Sequence, residues 1–444
     1  MSQRISRRSY LGYAAGSVGT GGFGVLPGLV LAFYLTDTLA VTAILASFVV
    51  LVPKVIDVLL NPIIGARSDA DKRLMGTRRR LMVIGALAIA PLFVLTFSAP
   101  TVWPSWAAAG WVLVAFSLTA VAFSCFQVPY VALPADLTDD YNERTRLVSG
   151  RIAVLAATIL VVGAGGPAIR DAVGGASGYA VMALAAGLLI SAGMLLATVW
   201  AAWRGGSSAG AASPHGSYRA AFGAVTGGGR FPILLSVYVI QALASAIPLA
   251  GAPYLAKYVL ERDGAVTLLF VALVAPAIVV MPLWSFVGQR IGKVAALRWA
   301  SAIFAVAMLT LLAAGWWSGA WVYLSICAAG VGYAGMQIFP LAILPDVIDE
   351  RSKRVGADQG GSMSGLWTAC EAVGLALGPA VFLAVLAVTG FVSSRGDETV
   401  TQPDSAVWGI VVGFSVVPAV LVLVTLAVLR RLTDTPVKLL GDSR

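Results

Sequence analysis

Residues 54–80 read KVIDVLLNPIIGARSDADKRLMGTRRR. The first half is apolar and yet carries Lys54, Asp57 and Asn61; the second holds Arg67, Lys72, Arg73, Arg78, Arg79 and Arg80. A hydrocarbon-like segment that runs straight into a short basic loop is the pattern of a membrane helix arriving at the cytoplasm, where Lys and Arg accumulate. The rest of the chain takes its orientation from this point.

Hydrophobic residues fill 59% of the 444 positions and charged residues 11%, against about 45–50% and about 25% in soluble domains. With a mean hydropathy of +0.89, the chain is solvated by lipid. Twelve apolar segments approach or exceed the ~20 residues that a bilayer crossing needs: 10–36, 41–66, 81–98, 103–134, 149–168, 178–203, 231–260, 264–288, 297–316, 318–345, 359–390 and 406–430. The first is far longer than the apolar core of a cleavable signal peptide. Of the 30 Lys and Arg, 25 lie at the two termini or after even-numbered segments, and only Arg170, Arg262 and Arg395 lie in the opposite loops. This bias places both termini in the cytoplasm of a multi-pass protein of the cell (inner or plasma) membrane. The net charge of +9 is thus a topology signal, and no nucleic-acid partner is expected. Cys125, Cys327 and Cys370 form no spacing motif for a metal or a disulfide. No phosphate-cradling loop, metal-ligand cluster or nucleophile with a base is present, so the chain reads as neither an enzyme nor an ATP-driven pump, and no cofactor is expected.

The chain repeats itself. Pro129-Tyr-Val-Ala-Leu-Pro134, followed by Asp136, Asp139 and Asp140, matches Pro340-Leu-Ala-Ile-Leu-Pro345, followed by Asp346 and Asp349, at an offset of 211 residues. Residues 204–230, rich in glycine and serine and holding the lone His215, read as a flexible linker. The expected organisation is an N-terminal six-helix bundle over 1–203, a cytoplasmic linker over 204–230, and a second six-helix bundle with a short tail over 231–444. Two bundles repeated in the same orientation are the plan of a secondary transporter that rocks about a central site.

Gly65-x3-Asp69 followed by Gly76-x-Arg78-Arg79-Arg80 resembles the loop signature of the major facilitator superfamily. Residues 34–69, 128–151 and 343–356 resemble, more narrowly, the glycoside–pentoside–hexuronide:cation symporters, the melibiose-permease-like group. The resemblance implies an all-α membrane protein of the major facilitator fold, with twelve transmembrane helices in two six-helix bundles related by a pseudo-twofold axis. It also implies symport of a small polar, sugar-like or glycoside-like solute by alternating access. The group includes lysophospholipid carriers, so a carrier or exporter of an amphipathic substrate, or a weakly coupled uniporter, is the alternative. The protein is expected to work as a monomer in the lipid bilayer.

Lys54, Asp57 and Asn61 fall at i, i+3 and i+7, on one helix face. A charge near the bilayer midplane costs ~2.5–3.5 kcal/mol on insertion scales, so such groups face cavities and pair. Two readings stand: a coupling site at Asp57 with Lys54 tuning it, or a structural Lys54–Asp57 ion pair. The family's cation site has two carboxylates four residues apart here, and Asn61 stands at the second; H+ is the preferred coupling ion and Na+ at Asp57 the alternative. Glu371, near the midplane of the eleventh segment with Trp367 and Thr368 on its face, is the second candidate proton carrier; the family has a lysine one position later, at Ala372. By resemblance, the two sugar-binding carboxylates fall on Gly21 and Gln127 and a tryptophan on Gln337. Arg151 is a further candidate, with a cytoplasmic gate as its preferred role. Asp136, Asp140 and Arg144 are expected to face Asp346, Asp349 and Arg351 as weak cytoplasmic salt bridges that close the outward-facing state. Lys257, one turn before Glu261, reads as a snorkelling lysine.

Overall fold

The computed structural model describes residues 5–138, 140–202, 229–262, 264–355, 360–396 and 400–432. Asp139, His215 and all but the last two residues of the expected linker fall outside these residues, as does the side chain of Arg144. Twelve helices are long and apolar enough to cross a membrane. They are α1 (Arg7–Phe33), α2 (Ala43–Met75), α3 (Arg79–Thr96), α4 (Ser105–Leu137), α5 (Tyr141–Val173), α6 (Gly175–Trp200), α7 (Arg230–Tyr258), α8 (Ala265–Ile291), α9 (Lys293–Thr310), α10 (Trp321–Val355), α11 (Gly360–Val388) and α12 (Asp404–Leu429).

The packing repeats as the sequence does. In the first half α1 lies against α5 and α6, α3 against α4 and α6, and α2 against α4; in the second, α7 lies against α11 and α12, α9 against α10 and α12, and α8 against α10. The backbones approach closely where glycine permits it. A Cβ on Gly85 would stand 2.4 Å from the Ala122 carbonyl oxygen, and one on Gly332 would stand 2.7 Å from that of Ala300. The halves meet along α1–α7, α5–α8 and α2–α11.

The basic stretch after the second apolar segment is mostly helix, not loop. Hydropathy falls near residue 66, but α2 runs on to Met75, with Arg67 pairing with Asp71 one turn further on at 3.8 Å. Asp, Lys and Arg in such a run favour helix once the segment has left lipid. Gly76, at φ 71°, stops it with a left-handed cap whose N–H donates to the Lys72 carbonyl. Only Gly76–Arg78 turns the chain into α3.

At this basic face each half is clamped within itself. Asp136, buried near the end of α4, accepts from Lys72 Nζ at 2.6 Å and Arg78 Nε at 2.9 Å, and Arg78 also donates to Asp69. Burial disfavours the Arg78 charge, but the two carboxylates outweigh it and hold the guanidinium above its ordinary pKa. In the second half Lys293, at the start of α9, donates to Asp346 at 2.6 Å. The partners found for Asp136, Asp346 and Asp349 thus lie within their own halves. Asp349 pairs with Lys353 on its own helix, Asp140 Oδ1 accepts from the Glu143 amide at the start of α5, and Arg351 lines a small cleft with Arg230 and Glu350. Nor is Asp136 a weak surface partner: two cations pin one buried carboxylate.

Candidate functional site

Helix α2 carries the polar face read from the sequence, and each member meets a different environment. Asp57 accepts a hydrogen bond from Ser124 Oγ of α4. Lys54 lies over the Phe23 ring of α1, its Nζ 5.4 Å from the centroid, and makes no ion pair within 4 Å among the described residues. The proposed Lys54–Asp57 ion pair is therefore absent. A three-residue helical offset brings the two chains onto one face, but α4 and α1 draw them to different partners. Asn61 keeps its side-chain oxygen buried with no donor.

The second half answers with a cluster on α7, α10 and α11. Tyr238 donates its hydroxyl to Glu371 Oε1 at 2.5 Å and stacks its ring on Trp367 at 4.2 Å. Gln337 Nε2 donates to Tyr333 one turn away at 2.7 Å. Trp367 is buried behind this arrangement, its indole N–H without a partner. Thr368 returns its hydroxyl to the Ser364 carbonyl of its own helix. Counted from the helix ends that the α1–α2 and α11–α12 turns bring together, Asp57 lies about 21 Å deep, Asn61 about 27 Å and Glu371 about 26 Å, at 1.5 Å per residue. The two carboxylates stand at similar depth on helices that pack together.

Gly21 does not belong to this site. A Cβ there would meet the Leu155 carbonyl oxygen at 3.1 Å and Thr158 Cβ at 3.2 Å, so the position seals α1 onto α5. Gln127 spends its carbonyl on Thr20 Oγ1 at 2.8 Å, across the α1–α4 seam. Arg151 lies further along that seam over the Tyr130 ring at 5.3 Å, its Nε buried without a hydrogen bond.

Sequence reasoning missed the other polar centre, where the halves join opposite the basic face. Helix α1 loosens there into a π-turn over Tyr34–Thr38, and Ala40 takes φ 52°, which costs a non-glycine residue strain. This geometry turns Asp37, buried, into the second half. Lys257 Nζ of α7 donates to it at 2.7 Å, together with the Tyr258 hydroxyl. Around it Thr36 bonds the Tyr254 hydroxyl at 2.7 Å. The Ala40 amide donates to the Ser394 carbonyl at 2.9 Å, and the Ser394 amide to the Thr36 carbonyl at 3.0 Å. Ser393 Oγ, which donates to the Val41 carbonyl at 2.8 Å, and Arg395, which donates to the Trp103 carbonyl at 3.2 Å, add to the joining of the halves on this side. Lys257 is thus not a snorkelling residue but half of an inter-half ion pair. The signal available in the sequence was an aspartate and a lysine at the ends of the first spans of the two repeats.

A family description, MFS/sugar transport protein, matches residues 12–434. An uncharacterized symporter of Synechocystis, sll1374, is 25% identical over 94% of this chain and 93% of its own. The putative glycoside/cation symporter YagG of Escherichia coli is 27% identical over 36% of this chain and 34% of its own. The inward open conformation of the xylose transporter XylE from E. coli superposes with a TM-score of 0.63 at 14% identity, over 97% of this chain and 96% of that one, a likeness of fold. The twice-repeated six-helix packing and the match along nearly its whole length together place this chain, a multi-pass membrane protein and secondary transporter, in the MFS/sugar transport family of the major facilitator superfamily, among the glycoside–pentoside–hexuronide:cation symporters.

Proposed function

We propose that the protein takes up a small polar, sugar-like organic solute by alternating access, driven by proton symport through Asp57 and Glu371, with Na+ the alternative ion. The observation that carries this reading is the placement of one carboxylate from each half at similar depth, each held by a single hydroxyl donor, Ser124 or Tyr238. Protonating either removes a charge that is costly inside a bundle. That gives the empty and loaded carriers different preferences for rocking. With the basic loops in the cytoplasm, as the positive-inside bias supports, the Asp37–Lys257 contact lies on the outer side. The conformation described is then the one closed to the outside. The Asp136 and Asp346 clamps act as rigid struts of the two halves, and the protein works as a monomer.

Proteoliposomes with an imposed inward proton gradient test this reading against a panel of radiolabelled sugars, glycosides and lysolipids. Gradient-driven uptake of a sugar-like solute that Asp57→Asn abolishes is expected. Uptake indifferent to both the gradient and the substitution refutes proton coupling. Uptake of lysolipids alone gives the pocket to an amphipathic substrate, the reading that Gly21 and Gln127, at the family's sugar-carboxylate positions, would then favour.

A further inference from the structure

Among the described residues, the Asp37 carboxylate accepts hydrogen bonds only from the other half of the molecule. Lys257 Nζ, the Tyr258 hydroxyl and Ser394 Oγ are its donors. Alternating access requires the halves to part on this side, and parting takes all three donors away at once. Asp37, buried in the π-turn that ends α1, then loses its counterion, a costly state unless another cation takes over.

The first half carries its own cation at this end. Of the three basic residues between spans on the outer side, Arg262 and Arg395 follow the second half, and only Arg170 stays with Asp37. Arg170 lies in the last turn of α5, its guanidinium over the Phe33 ring at 5.7 Å; the Lys257 ammonium lies over the same ring at 5.8 Å. Two cations, one from each half, thus share the ring one turn before Asp37. Arg170 Nη1 also donates to the Tyr179 hydroxyl at 3.5 Å, and this buried tyrosine stands in the field of Asp37 as well as Arg170. The present partner of Arg170 is an easy one to leave. Its Nε donates at 2.8 Å to Asp171, the next residue of the same helix. Successive helical side chains point about 100° apart, so the guanidinium folds back to reach Asp171, whose side chain is already 24% exposed to water.

We infer that Arg170 is the stand-in counterion of Asp37. In the conformation described, Lys257 holds Asp37 while Arg170 rests on Asp171. As Lys257 withdraws with the second half, Arg170 passes along Phe33 and Tyr179 to Asp37 and leaves Asp171 to water. The carboxylate is then paired in both conformations, and the exchange lowers the cost of outer opening that the Lys257 pair imposes. This rests on the alternating-access reading and adds to it a positioning residue, one that acts through Asp37 and touches neither solute nor coupling ion.

The test is a double-mutant cycle on the full-length protein in right-side-out membrane vesicles, with Cys125, Cys327 and Cys370 replaced and a cysteine placed at Ala252, buried between the halves beside Leu29 and Leu249. Outer opening is read as the rate of labelling by an impermeant maleimide. Arg170→Gln should slow labelling about threefold, the share of one solvent-facing ion pair lost from the open conformation alone. In Asp37→Asn protein, which labels faster because its latch is weakened, Arg170→Gln should change nothing. Asp171→Asn loosens the present hold on Arg170 and should speed labelling, again only where Asp37 is present; it decides the matter if Arg170→Gln fails to fold. Labelling that Arg170→Gln leaves unchanged, or slows equally with and without Asp37, overturns the exchange and leaves the latch and the transport reading standing. So does labelling that Asp171→Asn leaves unchanged. Labelling unchanged by Asp37→Asn itself overturns the latch, and the exchange with it.

Discussion

Asp37→Asn is the substitution whose consequence can be followed furthest. The Asp37 side chain is 7% exposed and accepts from Lys257, itself 40% exposed, from Tyr258, and from Ser394 Oγ at 3.3 Å. Asparagine keeps the shape, loses the charge and turns an N–H2 toward one of these donors. A hydrogen bond to a charged group contributes about 1.5–3 kcal/mol, but water takes over much of the share of a lysine as exposed as Lys257. A net loss of about 2 kcal/mol from the closed side is therefore expected, which multiplies the population open on that face by roughly thirty. The Thr36–Tyr254 bond and the backbone bonds to Ser394 remain and keep the closed state dominant. The assay is the rate at which an impermeant maleimide labels a cysteine at Ala252, buried in the inter-half seam beside Leu29 and Leu249, after Cys125, Cys327 and Cys370 are replaced. A labelling rate unchanged by Asp37→Asn, in a protein with an unchanged thermal midpoint, would refute the assignment of this contact as the latch between the halves.

Other substitutions test the remaining parts. Ser124→Ala removes the donor to Asp57 and should lower proton-driven uptake about tenfold at fixed pH with little change in thermal midpoint; a normal rate would detach Ser124 from coupling. Asp136→Ala strands Lys72 and Arg78 around a vacated buried acceptor and should destabilise the first half by about 2–4 kcal/mol, seen as a lowered denaturation midpoint. Gly21→Asp restores the residue type that the family has at this position, but its Cβ meets the Leu155 carbonyl at 3.1 Å. It should reduce the yield of folded protein without creating glucose binding, measured as a thermal-midpoint shift on titration with D-glucose.

How far the sequence carries depends on the distance over which a signal acts. Spans and the repeat are local, so Pro129 and Pro134 announce Pro340 and Pro345 without any coordinates, whereas the clamps join residues 53–64 apart, Lys72 and Arg78 to Asp136 and Lys293 to Asp346, and read as bridges between the halves until the structure is seen. Hydropathy marks where lipid ends, not where a helix ends, which is why α2 outlasts its apolar segment and the supposed basic loop is a helical extension closed by Gly76. Asp57 and Glu371 stand out because a carboxylate inside an apolar span is costly wherever it lies. Their donors do not stand out: Ser124 and Tyr238 are 67 and 133 residues away and look like ordinary residues of other spans.

The Lys54–Asp57 contact weighed from sequence proximity is not made within 4 Å, and Lys257 does not snorkel, for one physical reason. A pair one turn apart on a helix contributes only about 0.2–0.5 kcal/mol, too little to compete with tertiary partners inside a bundle. Lys257 instead reaches across 220 residues to Asp37, where a buried carboxylate collects three donors. In a repeated chain the first helices of the two halves lie side by side, so a charge at the end of one finds its complement at the end of the other.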